Sequence, residues 1–263
     1  MLGLQGVNAK IGRASESLRR LETDIRGFCE NQRLQLVREV QEGIHVVDSG
    51  PPELLINYSI RAGEIAYNLR SALDHLVWQL VQANGKTPDR RSEFPIFLEE
   101  SEYFKGAKSK LKGTSRRQRE LIASFQPFRS HNGIGPHLWM LHTICNIDKH
   151  RHLNVVNLHS FSTAHLEGEV GPELTHGQTG GLGLLTLLKG TERECKVKID
   201  VVADVCFRDD ELEAIGVGYG SEIEGTGLKR PPVVLALSSC LTAVKTVVQR
   251  LADEAPVSMV VVG

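Results

Sequence analysis

The stretch from Tyr58 to Ala83 constrains the fold of this chain most strongly, because it predicts one long helix with two separate faces. At about 100° per residue, small and aliphatic side chains fall on one arc: Ala62, Ile65, Ala66, Leu69, Ala72, Leu73, Leu76, Leu80 and Ala83. A polar stripe runs beside this arc: Arg61, Glu64, Asn68, Ser71, His75, Gln79 and Gln82. A helix face that is only exposed to solvent usually carries mainly charged residues such as Lys and Glu. Amides, a hydroxyl and an imidazole form more specific hydrogen bonds, so this stripe is the first candidate site.

A second segment, from about His137 to His150, predicts another helix with a polar stripe. Its apolar side carries Met140, Leu141, Ile144, Cys145 and Ile147. Its polar side carries His142, Thr143, Asn146, Lys149 and His150, with Trp139 beside them. Antiparallel neighbours are common in helical bundles. In that arrangement, we expect Glu64, Asn68 and His75 to face His142, Asn146 and Lys149.

The order of the remaining segments favours an α+β fold, in which a helical bundle packs with a mainly antiparallel sheet. Apolar residues at even positions predict an N-terminal β-hairpin over 33–47. Period-two alternation makes 154–220 strand-rich, and a C-terminal helix is expected over 231–255. The chain is therefore expected to form a single domain over 1–263, with its helical part in about 1–153.

Composition excludes several classes of protein. The formal charge of −1 gives no overall attraction to nucleic acid or acidic membranes, so anion binding requires a local cluster. Five cysteines without a Cys-x-x-Cys pair indicate a reduced, cytoplasmic protein. The start of the chain lacks a signal-peptide pattern, and no apolar run approaches about 18 residues, so we expect no membrane partner. The Gly-rich run over 177–183 lacks the Gly-Lys-Ser/Thr of a phosphate-binding loop, and no cofactor is expected.

The segment from Lys105 to Arg119 is a local basic cluster, with seven Lys or Arg residues and no acid. Such a run can contact phosphates. Its alternative interpretation is a solvated loop that precedes a helix from Arg116 to Phe125. The sequence leaves both interpretations open.

Two short phrases carry a resemblance to known proteins. Asn68-Leu-Arg-Ser-Ala-Leu-Asp-His75 places an Arg and a His on one helix with four residues between them. This spacing resembles the Arg and His signature of HEPN-type helical domains, over at most Val7 to Leu153. The chain also resembles a set of uncharacterised bacterial proteins that share Leu-Arg-Ser-Ala-Leu-Asp-His, Phe-Pro-Ile-Phe and Asn-Ile-Asp-Lys-His-Arg.

The HEPN resemblance implies an RNA-binding protein, often a homodimer in a toxin or defence system, with Arg70 and His75 as a metal-independent catalytic pair. His75 would transfer protons near neutral pH, and Arg70 or Lys149 would hold the phosphate. The other expected binding residues are Glu64, Asn68, His142, Asn146 and His150. On a regular helix, however, Arg70 and His75 are about 140° apart. Arg70 lies one turn from Asp74, so an ion pair is its alternative role.

Three functions therefore remain open from the sequence. The first is an HEPN-like protein that binds RNA, with cleavage an open question. The second is a non-catalytic interaction or small-ligand-binding protein. The third is a metal-assisted hydrolase that uses Glu64, His75 and His142. The Glu-x-x-His spacing of di-iron bundles is absent, and no metal site is predicted.

Overall fold

The computed structural model of the protein describes residues 2–41, 52–150, 153, 155–167, 196–207, 212 and 232–254. The chain divides into two compact units. The first unit consists of Met1–Glu22, Asn57–Asn154 and Val233–Gly263, and the second consists of Thr23–Ile56 and Val155–Pro232. The expectation that the whole chain forms a single domain stays a prediction.

Helices account for most of the described residues. They are α1 Gln5–Gln41, α2 Pro52–Ala83, α3 Glu100–Lys110, α4 Arg116–Ser124, α5 Gly135–His150 and α6 Val233–Asp253, with a 3₁₀ segment Pro127–Asn132 before α5. The helices predicted around α2, α4 and α5 are thereby confirmed. The last helix, α6, lies inside the range expected for it.

The helix α2 supplies much of the core of the first unit. The apolar arc predicted for it is buried from Ala62 to Leu80, while Ala83 is partly exposed. Pro52 can occupy the first position of α2 because a first-turn N–H has no partner within the helix. The helix ends before Asn84 and Gly85, and Gly85 adopts the left-handed conformation (φ 69°) that commonly terminates a helix.

The helix α5 packs against α6, and its C-terminal end lies beside the N-terminal part of α2. Gly63, near the start of α2, lies against the carboxylate of Asp148, near the end of α5. A Cβ atom on Gly63 would be only 2.3 Å from Asp148 Oδ1, so this approach requires glycine. On the other side of α5, the Cys240 thiol of α6 donates a hydrogen bond to the His137 carbonyl oxygen at 3.4 Å.

In the second unit, two strands form an antiparallel ribbon. Strand β1 spans Val155–Glu167 and strand β2 spans Lys196–Phe207. Val155 pairs with Phe207 at one end and Glu167 pairs with Lys196 at the other, with a register shift between Phe161 and Thr163. The alternation of apolar residues along β2 thus predicted a strand correctly.

The predicted fold class, a helical bundle packed with a mainly antiparallel sheet, is wrong. The described residues are mostly helical, and the two strands β1 and β2 form a two-stranded ribbon, to which Pro232 adds a single bridge at Cys206. The period-two pattern over 154–220 therefore predicted individual strands correctly, but it did not show whether these strands form a larger sheet. Much of that strand-rich segment lies outside the described residues.

The predicted hairpin over 33–47 is also contradicted in its first half, because α1 continues to Gln41. The even spacing of Leu34, Leu36 and Val40 suggested a strand. The Leu, Gln, Arg and Glu residues of this stretch are good helix formers, however, and no Gly or Pro lies between Arg33 and Gly43. Residues 42–47 lie outside the described part of the chain.

Candidate functional site

An ion pair on α2 anchors the segment that follows this helix. Arg70 Nη2 donates a hydrogen bond to the Phe94 carbonyl oxygen at 2.7 Å and lies 3.2 Å from Asp74 Oδ1. Asp74 Oδ1 in turn accepts a hydrogen bond from the Phe94 N–H at 2.9 Å. The side chains of Arg70 and Asp74 are only 14% and 31% exposed. Together they satisfy both backbone groups of Phe94, so we name Arg70, Asp74 and the Phe94 backbone the α2 clamp.

The side chain of Gln126 anchors the next residues of the segment, Pro95 and Phe97. The amide of Gln126, which is buried, donates from Nε2 to the Pro95 carbonyl oxygen at 2.9 Å and accepts from the Phe97 N–H at 3.1 Å. The Phe97 ring then packs edge-on against Tyr103, with ring centroids 6.1 Å apart. The Phe-Pro-Ile-Phe stretch is thus fixed at both ends and forms a rigid wall.

An open cavity of about 590 Å³ lies between this wall, α2, α3 and α5. Its lining residues are Gly63, Tyr67, Arg70, Ser71, Asp74, Glu93, Phe94, Ile96, Phe97, Leu98, Glu99, Glu102, Lys110, Trp139, His142, Cys145, Asn146, Asp148 and Lys149. Cavities of this volume are typical of sites for small molecules. The cavity is therefore the candidate functional site.

Trp139, His142 and Asn146 form the α5 side of the cavity. The Trp139 and His142 rings are tilted by 31°, with centroids 5.2 Å apart. Asn146 Nδ2 lies 2.9 Å from His142 Nε2. Burial lowers the pKa of His142 to about 4, and the nearby cations Arg70, Lys149 and Lys110 contribute to this shift. The ring is therefore neutral near pH 7, with Nε2 accepting the Asn146 hydrogen bond and Nδ1 carrying the proton.

Two further groups limit the chemistry of this site. Burial raises the pKa of the Cys145 thiol to about 12, so it is protonated and is a poor nucleophile near neutral pH. Lys110 forms an ion pair with Glu93 at the cavity wall. Among the described residues, no group of three or more His, Cys, Asp or Glu side chains is arranged to hold a metal ion.

Protonation of His142 should destabilise the protein in acid. The folded state favours the neutral ring, so its stabilisation is complete above pH 6.5 and is lost as the pH falls towards about 4. We expect a loss of roughly 3 kcal/mol or less from this group, since each pKa unit corresponds to about 1.4 kcal/mol. The free energy of unfolding, measured by urea titration at pH 7.5 and 4.5, checks this.

The His142→Gln variant is the control for that measurement. Its side chain can still accept a hydrogen bond from Asn146 but cannot titrate. The variant should therefore lose less stability than the wild type between the two pH values. Equal losses in both proteins would show that His142 does not titrate in this range.

Four of the predicted site residues line the cavity, namely Arg70, His142, Asn146 and Lys149. The other four, Glu64, Asn68, His75 and His150, do not line it.

Glu64, Asn68, His75 and His150 lie outside the cavity, at separate places on α2 and α5. His75 is exposed and faces the start of α1, where a Cβ on Gly6 would lie 3.6 Å from its Nδ1. Asn68 donates a hydrogen bond to the Glu64 carbonyl oxygen at 2.9 Å within α2. His150 is exposed at the end of α5. Within one chain, the Arg70 and His75 side chains therefore do not share a site.

The cavity also contains residues that the sequence interpretation missed. These are Gly63, Tyr67 and Asp74, which together with the predicted Arg70 follow one another at spacings of four, three and four, so they form the face of α2 that is turned towards α5. From Glu64 to His75, each residue of the predicted polar stripe follows a residue of this face by one position, so the stripe is turned by about 100° around the helix axis. Helical spacing could have identified the correct face, but its mixture of a glycine, an aromatic ring and an ion pair gave no uniform polar pattern.

One helix of the described residues meets the length and composition of a membrane span. The helix α6 has a window with mean hydropathy 1.3, of which 44% is buried within the structure. Core helices of globular proteins pass the same test. Its apolar character therefore says little about membrane association.

Comparison of the chain with known proteins gave no match: no protein-family model matches it, and no curated protein or solved structure is significantly similar to it. The HEPN resemblance accordingly stays a prediction that rests on the Arg70 and His75 spacing alone.

Proposed function

We propose that this protein binds a small ligand in the cavity between α2, α5 and the Phe-Pro-Ile-Phe wall. The observation that carries this proposal is the convergence of Arg70, Lys149, Asn146 and a neutral His142 beside the Trp139 ring. The ligand would have an aromatic or apolar part and an anionic or hydrogen-bond-accepting group.

The electrostatics support an acceptor group at the His142 end. Asp74 and Glu93 are already engaged by Arg70 and Lys110. Lys149 is exposed and has no ion-pair partner within the described ranges. The Nη1 of Arg70 is buried and has no acceptor in that same part of the chain. A buried N–H without an acceptor costs about 1–3 kcal/mol, so the positive charge of Arg70 is incompletely compensated by the protein.

Aromatic side chains support the apolar part of the ligand. Trp139 of α5 and Phe97 of the anchored wall both line the cavity. Tyr67 also lines it and is 58% exposed. Planar ligands commonly stack on such rings. An aromatic carboxylate or a nucleotide would combine the two required parts.

The balance of charge favours a small ligand over a long polyanion. Five acidic side chains line the cavity, at positions 74, 93, 99, 102 and 148, against three basic ones, at 70, 110 and 149. Only the His142 end is therefore favourable for an anion. A nucleic-acid strand that extended across the cavity would meet Glu99 and Asp148.

RNA binding of the HEPN-like kind is the second candidate function. It is favoured by the placement of Arg70, Asn146 and Lys149 in one open cavity beside Trp139, which could stack on an unpaired base. His75 does not line this cavity, so catalysis by Arg70 and His75 would require a second copy of the chain to supply the imidazole. A homodimer is thus a condition of this candidate.

A ligand screen separates the two functions. Nucleotides and aromatic carboxylates are tested by thermal shift, and the dissociation constant of any hit is measured for the wild type, Lys149→Gln and His75→Ala. Binding should weaken about 10-fold or more in Lys149→Gln, because a hydrogen bond to a charged group contributes about 1.5–3 kcal/mol. The His75→Ala variant should bind as the wild type does.

RNA cleavage is measured in parallel with total RNA, with and without chelator. Cleavage that resists chelator and is lost in His75→Ala would replace the ligand-binding proposal with the second candidate. Failure of every compound to bind, or equal binding by Lys149→Gln, would contradict the first.

A further inference from the structure

The basic segment from Lys105 to Arg119 forms part of a second concave surface, on α3 and α4. Most of the segment that could have been a solvated loop is helical, with only a short turn between α3 and α4. Gly113 (φ 91°) lies in this turn, and the Ser115 and Gln118 side chains form a capping box at the start of α4. The two helices enclose a groove of about 580 Å³. None of the residues that line this groove lines the cavity described above.

The floor and one wall of the groove are apolar. Tyr103 and Ala107 of α3 and Leu111, the residue that caps its C-terminus, are buried beneath the groove. Ala123 of α4 closes the floor on the other side. Phe104 stands at the edge with 65% of its surface exposed, and its ring packs edge-on to Tyr103 at 5.7 Å. The small side chains Ala107 and Ala123 leave space next to an exposed aromatic ring.

The rim of the groove is positively charged. Lys108, Arg116 and Arg119 line it together with a single acid, Glu120. Glu120 is engaged by Arg116 at 2.8 Å. Arg119 uses Nη1 to donate to the Thr114 carbonyl oxygen at 2.7 Å, and Lys108 has no ion-pair partner in the part of the chain that the structure describes. The charges of Lys108 on α3 and Arg119 on α4 are therefore not neutralised by an acid of the described residues.

We propose that this groove binds a small amphiphilic anion, such as a carboxylate or phosphate with an aliphatic tail. The tail would lie on Ala107, Leu111 and Ala123 against Phe104, and the anionic group would contact Lys108 and Arg119. Burial of the tail on an apolar floor and attraction of the head by two unneutralised cations both contribute to binding. The concave shape and volume fit a small molecule better than a flat lipid surface. This inference does not depend on the proposed function of the other cavity.

The proposal is tested with anilinonaphthalene sulfonate, a fluorescent aromatic anion, and with dodecanoate, dodecyl phosphate and dodecyltrimethylammonium as competitors. Dodecanoate or dodecyl phosphate should displace the probe, and the cationic amphiphile should not. The probe's dissociation constant should rise about 10-fold or more in Lys108→Glu and in Phe104→Ala. Both residues are exposed, so unchanged thermal unfolding is expected and is checked for each variant.

Lys112→Glu is the matched control, because Lys112 is exposed and carries the same charge but does not line the groove. It should bind the probe as the wild type does. Because the probe is itself an aromatic anion, any part of it that binds in the α2 and α5 cavity is identified by its loss in Lys149→Gln, and the affinity of the groove is measured in that background. Equal affinities of wild type, Lys108→Glu and Phe104→Ala would overturn the proposal. Equal displacement by anionic and cationic amphiphiles would overturn it as well.

Discussion

Replacing Asp74 with Ala should lower the free energy of unfolding by about 3 kcal/mol. The substitution removes the acceptor of the Phe94 N–H and leaves Arg70, which is mostly buried, without its carboxylate. A buried group without a partner costs about 1–3 kcal/mol, and an unpaired charge costs more. Because the Phe-Pro-Ile-Phe wall would lose one anchor, ligand binding in the cavity should weaken as well. Denaturant unfolding measures the first effect, and ligand titration measures the second.

Two further variants establish the cause. Glu64→Ala removes an acid from an exposed position of the same helix and should change stability by less than about 0.5 kcal/mol. Combining Arg70→Met with Asp74→Ala should cost less than the sum of the single substitutions, because the charge left unpaired is removed. Strict additivity would show that the clamp residues act independently.

Replacing Gly135 with Ala should destabilise the protein by about 3 kcal/mol. A Cβ atom at this position would lie 2.6 Å from the Gln126 carbonyl oxygen and 2.7 Å from Pro127 Cα. Both neighbours are backbone atoms, so the clash cannot be relieved by rotating a side chain. Overpacking of this kind typically costs about 1–3 kcal/mol, and more when backbone has to move. Thermal and urea unfolding provide the measurement.

Gly12→Ala is the matched comparison on α1. Gly12 is exposed, and a Cβ there would meet no atom within 4 Å. Alanine should therefore stabilise the protein by about 0.5–1 kcal/mol, because it forms helix more readily than glycine. A Gly135→Ala protein as stable as Gly12→Ala would show that α5 can shift away from the Gln126 backbone at no cost.

The sequence predicted the helices α2, α5 and α6 well, because their apolar periodicity is long and regular, whereas the helix α3 was not predicted. Patterns as long as those of α2, with 32 residues, and α5, with 16 residues, average over local exceptions. The hairpin over 33–47 depended on a few alternating residues and failed where α1 continued. The fold class failed because strand patterns in 154–220 do not reveal how many strands pair with one another.

The candidate site was predicted only in part. His142, Asn146 and Lys149 were identified because they form one polar face of α5. On α2, the face turned towards the cavity contains Gly63 and Tyr67, which helical polarity does not distinguish from a core position. The wall at Phe94 depends on contacts between residues about 20 positions apart, and no local pattern encodes them.

Within the α2 clamp, Arg70 and Asp74 form hydrogen bonds with main-chain atoms of Phe94. The hydrogen bonds of Gln126 to Pro95 and Phe97 likewise involve main-chain atoms of these two residues. These hydrogen bonds are consequently independent of the side chain at position 98, which is exposed, whereas Phe94 and Ile96 are buried in the core and Phe97 packs on Tyr103. Position 98 could therefore be varied while the backbone hydrogen bonds are kept. Substitutions at this position, which lines the cavity, would change which ligands the protein binds without changing its fold.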